Sequence, residues 1–142
     1  MNSISEATAY IKGNSGIYGE VNFYQKDGAV LVEAHITGLP ADNATGFFAF
    51  HIHEGKSCGG TAFSDTGGHY NPGNQLHPLH AGDLPPLISC GGESYMAVLT
   101  DRFSVSEIIG KTVVVHSGPD DFHSQPAGNS GEKIACGVIF SS

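Results

Sequence analysis

Apolar and polar residues alternate with a period of two through most of the stretch from residue 7 to residue 53, as in strands with one buried face. Residues 7–12 alternate only in part, and Asn14-Ser15-Gly16 then reads as a turn. In residues 17–25, Ile17, Gly19, Val21, Phe23 and Gln25 share one face, while Tyr18, Glu20, Asn22 and Tyr24 share the other. Lys26-Asp27-Gly28 predicts a hairpin, because Asp-Gly supplies the positive φ that such turns require. Val30, Val32, Ala34 and Ile36 alternate with Leu31, Glu33, His35 and Thr37, a half-buried strand that ends at Gly38-Leu39-Pro40. After a polar loop at residues 41–45, Phe47, Phe48 and Phe50 open a strand that runs into His51 and His53.

The alternation then stops. Residues 54–86 show almost no sustained period and are dominated by Gly, Pro, His, Asn and Asp. Loops longer than about 15 residues are uncommon in compact domains and usually carry function. Strand patterns return at residues 95–100 and 112–116, and between them Ser104 and Glu107 have the spacing of a capping box, predicting one helical turn. A second Gly-rich loop covers residues 117–133, and residues 134–140 form a last strand. With no internal repeat, low-complexity tract or linker, the chain reads as a single domain, residues 1–142. The class is all-β: an antiparallel sandwich or barrel carrying two long functional loops.

Composition narrows the function classes. The 142 residues carry Lys+Arg 6 against Asp+Glu 14, for a net charge of −8, and His 8. So few bases cannot neutralise a row of phosphates, which excludes nucleic acid as a partner. No apolar run approaches the roughly 20 residues of a membrane-spanning helix, which argues against a membrane partner. Residues 1–9 have neither a basic start nor an apolar middle, so no secretory signal is expected. That leaves a cytoplasmic protein or an already trimmed secreted or periplasmic form. The odd set Cys58, Cys90 and Cys136 permits at most one intramolecular disulfide and leaves one thiol over.

The histidines carry the candidate chemistry. In a strand, residues two apart point to the same side, so His51 and His53 can converge on one metal ion. His69, His77, His80 and Asp83 offer three imidazoles and a carboxylate within one Gly/Pro-rich loop, a set that suits tetrahedral Zn²⁺. His116 ends the apolar strand Val113-Val114-Val115. An all-imidazole site suits Cu, Zn, Fe or Ni, and copper is the redox-active choice. No nucleophile–base pair and no phosphate-cradling loop is apparent. Residue types alone therefore give a zinc-like loop site and a second site of strand histidines.

Several motifs occur in order: Phe50-His51-Ile52-His53-Glu54, Gly67-Gly68-His69-Tyr70-Asn71-Pro72, His80-Ala81-Gly82-Asp83-Leu84-Pro85, Val114-Val115-His116, and Gly128-Asn129-Ser130-Gly131-Glu132-Lys133-Ile134-Ala135-Cys136-Gly137. Together they resemble the copper/zinc superoxide dismutase family over nearly the whole chain. Gly82-Asp83-Leu84-Pro85 and the position of Cys58 soon after His53 look more bacterial than animal. The resemblance implies an eight-stranded antiparallel Greek-key β-barrel, a sandwich of the immunoglobulin-like kind, with a zinc loop and an electrostatic loop. It assigns His51, His53 and His116 to copper, makes His69 the bridge between copper and zinc, and completes the zinc site with His77, His80 and Asp83. Asp120 matches the aspartate that holds one ligand histidine from each metal, with Asp121 as the alternative. Cys58 and Cys136 match the family's disulfide, and Cys90 has no counterpart.

The implied activity is disproportionation of superoxide anion by Cu(II)/Cu(I) cycling, with zinc orienting His69. The alternative is a non-enzymatic relative that stores or delivers copper and zinc. A homodimer and a copper donor stay open as partners. Two departures stand out. The family's active-site arginine aligns with Lys133, which keeps the charge but not the planar fork, so weaker anion guidance is expected. The zinc loop is contracted between His77 and His80, yet all its ligands remain, so the site is expected to close. His35 should face solvent, and His123 falls in the presumed electrostatic loop.

Overall fold

A computed structural model describes residues 5–142; residues 1–4, where the reading of the N-terminus begins, lie outside the described residues. The strands are β1 (Ala7–Gly13), β2 (Tyr18–Lys26), β3 (Ala29–Thr37), β4 (Phe47–His53), β5 (Asp83–Ile88), β6 (Ser94–Thr100), β7 (Thr112–His116) and β8 (Lys133–Ser141). They form one eight-stranded sheet in the order β5-β4-β7-β8-β1-β2-β3-β6, every neighbouring pair antiparallel. The end strands β5 and β6 follow one another in the chain and meet across the seam, so the sheet curls into a nearly closed Greek-key barrel.

The alternation read from the sequence sets the faces. Val21 and Phe23 of β2 and Val30, Val32, Ala34 and Ile36 of β3 are fully buried in the barrel core. Burying each Val, Ile or Phe side chain among them contributes about 1.5–3 kcal/mol. Tyr18 and Tyr95 stand outside at 65% and 61% exposure. The helical turn predicted at Ser104 is α1 (Val105–Ile108), with the Ser104 N–H donating to Glu107 Oε1 at 2.6 Å.

One element differs from the sequence reading. Residues 83–86, placed in a loop by composition, begin β5. Pro85 and Pro86 removed the strand signal, since proline cannot donate to a ladder. The structure accommodates them because β5 is an edge strand.

Strand β4 is buried on both faces. Phe48, Phe50 and Ile52 point into the barrel core, and the alternate residues Ala49, His51 and His53 are buried under the two long loops. The same division holds in β7, where Val113 and Val115 join the core and His116 does not. The histidines thus lie between the barrel wall and its loops. Cys58 and Cys136 form a disulfide with a Cα–Cα separation of 5.8 Å, fastening the first loop to β8. Cys90 is a free, exposed thiol.

Candidate metal centre

Sheet register assembles the site. His51 lies opposite Asp83 of β5 on one side and Val114 of β7 on the other. His116, the last residue of β7, pairs with Lys133, the first of β8. An isolated bridge joins His53 to His69 and so carries the first long loop back onto β4. Ordinary antiparallel pairing therefore sets Asp83 beside His51 and Lys133 beside His116.

Two groups of ligand atoms result, each with all members within 4.8 Å of one another: His51, His53, His69 and His116 in the first, and His51, His69, His77 and Asp83 in the second. His80 joins the second group, its Nδ1 lying 3.1 Å from both His69 Nδ1 and Asp83 Oδ2. The contracted loop brings His80 back against Asp83. Asp83 Oδ1 sits 2.8 Å from His69 Nδ1, and Oδ2 accepts the His80 backbone N–H at 3.0 Å.

Hydrogen bonds fix which nitrogen of each ring is free. Asp120 accepts from His51 Nε2 at 2.8 Å and from His77 Nε2 at 2.7 Å; His51 belongs to both groups and His77 to the second. His53 Nδ1 donates to the Gly67 carbonyl at 2.8 Å. Such outer partners set the tautomer and aim the opposite nitrogen. His51 Nδ1, His77 Nδ1 and His69 Nε2 are left buried with no hydrogen-bond partner. An unsatisfied buried polar atom costs about 1–3 kcal/mol. Lone pairs converging on common points are what bound cations would satisfy, so the donor set fits bound metal ions, with His51 and His69 common to both groups. Asp121, the alternative to Asp120, instead accepts from the backbone N–H groups of His123 and Ser124 within its own loop.

The electrostatics agree with this donor set. Burial pushes the imidazoles of His53, His116 and His51 down from 6.5 to about 2, 3 and 4 respectively, so each is neutral at physiological pH. Burial pushes Asp120 and Asp83 upward, but hydrogen bonds from His51 and His77 to Asp120, and from His69 to Asp83, prevail. Both carboxyls are held below the usual range. Neutral imidazoles and ionised carboxylates are the forms that ligate and orient.

The first group opens into a cavity of about 380 Å³ whose lining includes His53, His69, His116, Gly131 and Lys133. Among the described residues lining it, Lys133 is the one lysine or arginine and no carboxylate takes part. Its Nζ donates to Thr66 Oγ1 at 2.7 Å and to the Gly67 carbonyl at 2.9 Å, and burial lowers its pKa. The Gly67 carbonyl thus holds both Lys133 and His53. Sequence reasoning missed Thr66 and Gly67, because a side chain or carbonyl that anchors a neighbour leaves no pattern in the chain. His35 is exposed, with Nε2 2.5 Å from Glu93 Oε2, and exposed His123 contacts the Asp121 carbonyl at 2.9 Å; neither lines the cavity.

An eight-stranded antiparallel barrel carrying an outer histidine centre defines a class of metal-binding β-barrel proteins. Within that class, residues 17–139 match the sequence profile of the family described as "Copper/zinc superoxide dismutase (SODC)", and the chain belongs to that family. It is 37% identical to "Superoxide dismutase [Cu-Zn] 2" of Aquifex aeolicus, over 87% of this chain and 79% of that protein. It is 32% identical to "Superoxide dismutase [Cu-Zn] 3" of Arabidopsis thaliana, over 94% of this chain and 88% of that protein. Among solved structures, a double mutant of a SOD-like protein from Bacillus subtilis superposes with a TM-score of 0.80 at 26% identity. That match covers 94% of this chain and 96% of the other.

Proposed function

We propose that the protein is a superoxide dismutase, converting two superoxide anions and two protons into dioxygen and hydrogen peroxide. The observation that carries this reading is the two-sided placement of His69. Its Nδ1 meets Asp83 and His80, and its buried Nε2 has no hydrogen-bond partner. His51, His53, His69 and His116 would hold copper, and His69, His77, His80 and Asp83 would hold zinc. Copper supplies a one-electron redox couple, and zinc supplies a fixed positive charge beside the shared imidazole.

The chain's own residues do the rest. Lys133 places an ammonium at the cavity, and no carboxylate among the described lining residues opposes it, so a small anion is drawn inward despite the net charge of −8. With Nδ1 committed to the zinc side, Nε2 of His69 is the ring nitrogen left to take up a proton when it is not held by copper and to deliver it toward the peroxide product. Asp120 keeps the His51 and His77 rings aimed while this happens.

A second reading, a non-enzymatic protein that stores or delivers metal, is favoured by the likeness to a SOD-like protein. The complete ligand set and the open cavity weigh against it. The test is superoxide consumption by protein loaded with stoichiometric copper and zinc. Rapid consumption that is lost with copper removal supports the dismutase. Stoichiometric copper without consumption favours storage, and failure to bind copper contradicts both.

A further inference from the structure

The zinc-side ligands His77 and His80 sit on a segment with no regular structure ahead of β5, and its backbone groups need partners from elsewhere. Two side chains from separate loops supply them. Arg102, just after β6, donates from one nitrogen, Nη1, to the Pro78 carbonyl at 2.7 Å and to the His80 carbonyl at 3.1 Å. Gln125, in the loop between β7 and β8, accepts the His77 backbone N–H through Oε1 at 2.9 Å. It donates through Nε2 to the His77 carbonyl at 2.8 Å.

We propose that Arg102 and Gln125 are positioning residues forming a two-sided clamp that preorganises His77 and His80 for zinc. The His80 carbonyl also accepts the Asp83 backbone N–H at 3.1 Å, so Arg102 gathers the turn that carries both His80 and Asp83. Gln125 mimics a strand partner for His77, whose ring is held at its other end by Asp120 at 2.7 Å. Within the segment only turn bonds are made, from the Leu79 N–H to Leu76 and from the Asp83 N–H to His80, and the clamp supplements them. Removing it leaves every ligand in place but lets the segment sample conformations in which His77 and His80 no longer converge. The effect falls on retention of zinc, and the copper-side histidines on β4 and β7 do not depend on it.

This inference rests on the zinc assignment proposed above, and the test separates the two. Zinc release from the metal-loaded protein into excess chromogenic chelator is followed for wild type, Arg102→Ala, Arg102→Lys and Gln125→Ala, together with melting temperatures of the metal-free forms. Arg102→Ala and Gln125→Ala are each expected to speed release by roughly 10- to 100-fold, the usual effect of losing an outer partner of a metal ligand. Arg102→Lys, which keeps a cationic donor, is expected to recover part of the loss, and the metal-free melting temperatures are expected to stay near wild type. Wild type that retains no zinc overturns the assignment and the clamp together. Wild type that retains zinc while the variants release it at the same rate overturns the clamp alone. Release that speeds only in proportion to a fall in metal-free stability also overturns it, because that is damage to the fold.

Discussion

At Gly128 a methyl group would lie 2.0 Å from Asp120 Oδ1 and 2.7 Å from His77 Nε2, and the backbone there has a φ of +74°. Both facts require glycine, since a side chain would be strained at that φ and would push the carboxylate off the two rings it orients. Gly128→Ala is therefore expected to weaken zinc and copper binding together by roughly 10- to 100-fold. Competition with a chelator checks this, and unchanged affinity for both metals would contradict the role of Asp120. Lys133 presents a different case. Two of its ammonium donors go to Thr66 and Gly67, which leaves one for an incoming anion. An arginine could keep both anchors and still present a planar pair of donors. Lys133→Arg is expected to raise kcat/KM for superoxide several-fold at low ionic strength, and Lys133→Gln to lower it about tenfold and flatten its salt dependence. Rates that do not respond to either change would remove Lys133 from anion guidance.

At the scale of elements, the disulfide joins the loop after β4 to β8 across a sequence separation of 78. Chain entropy gives such a closure roughly 4.5 kcal/mol before any strain. Cys58→Ser is expected to lower unfolding free energy by about 4 kcal/mol in denaturant titration. A loss under about 1 kcal/mol would mean that the unfolded chain gains little freedom when the bond is absent. The strands themselves were unequally legible. β2 and β3 declare their buried faces through strict alternation, because their other faces meet water. β4 is buried on both sides, so its three phenylalanines read as a strand without revealing which face carries the histidines. β5 was hidden by Pro85 and Pro86 and by polar neighbours, and only its edge position makes it a strand. Histidine and aspartate announced the candidate ligands by type, and the resemblance to a family proposed how they divide between two metals. Arg102 and Gln125 were invisible, because they act on backbone groups that any sequence provides, and Thr66 because a hydroxyl that anchors an ammonium leaves no pattern.

Over the whole molecule, excess acid and concentrated histidine are complementary features. A net charge of −8 surrounds a cavity whose described lining bears one lysine and no carboxylate. The buried imidazoles also tie stability to pH. His51, His53 and His116 have folded-state values pushed below 6.5 by burial, so below that pH the unfolded chain binds more protons than the folded one. Stability of the metal-free protein is present above pH 6.5 and is lost as pH falls toward 4 and below. Melting temperatures of the metal-free form are accordingly expected to drop between pH 7.5 and pH 5, and a constant or rising value would contradict this. The central claim is that one imidazole, His69, faces two metals at once. Electron paramagnetic resonance of protein carrying Cu(II) on the copper side and Co(II) on the zinc side tests it most directly, because a shared imidazolate couples the two spins. The expected result is loss of the Cu(II) signal when Co(II) is bound and its recovery in His69→Ala that still binds copper. A full-intensity Cu(II) signal with both metals present in the wild type would contradict the claim.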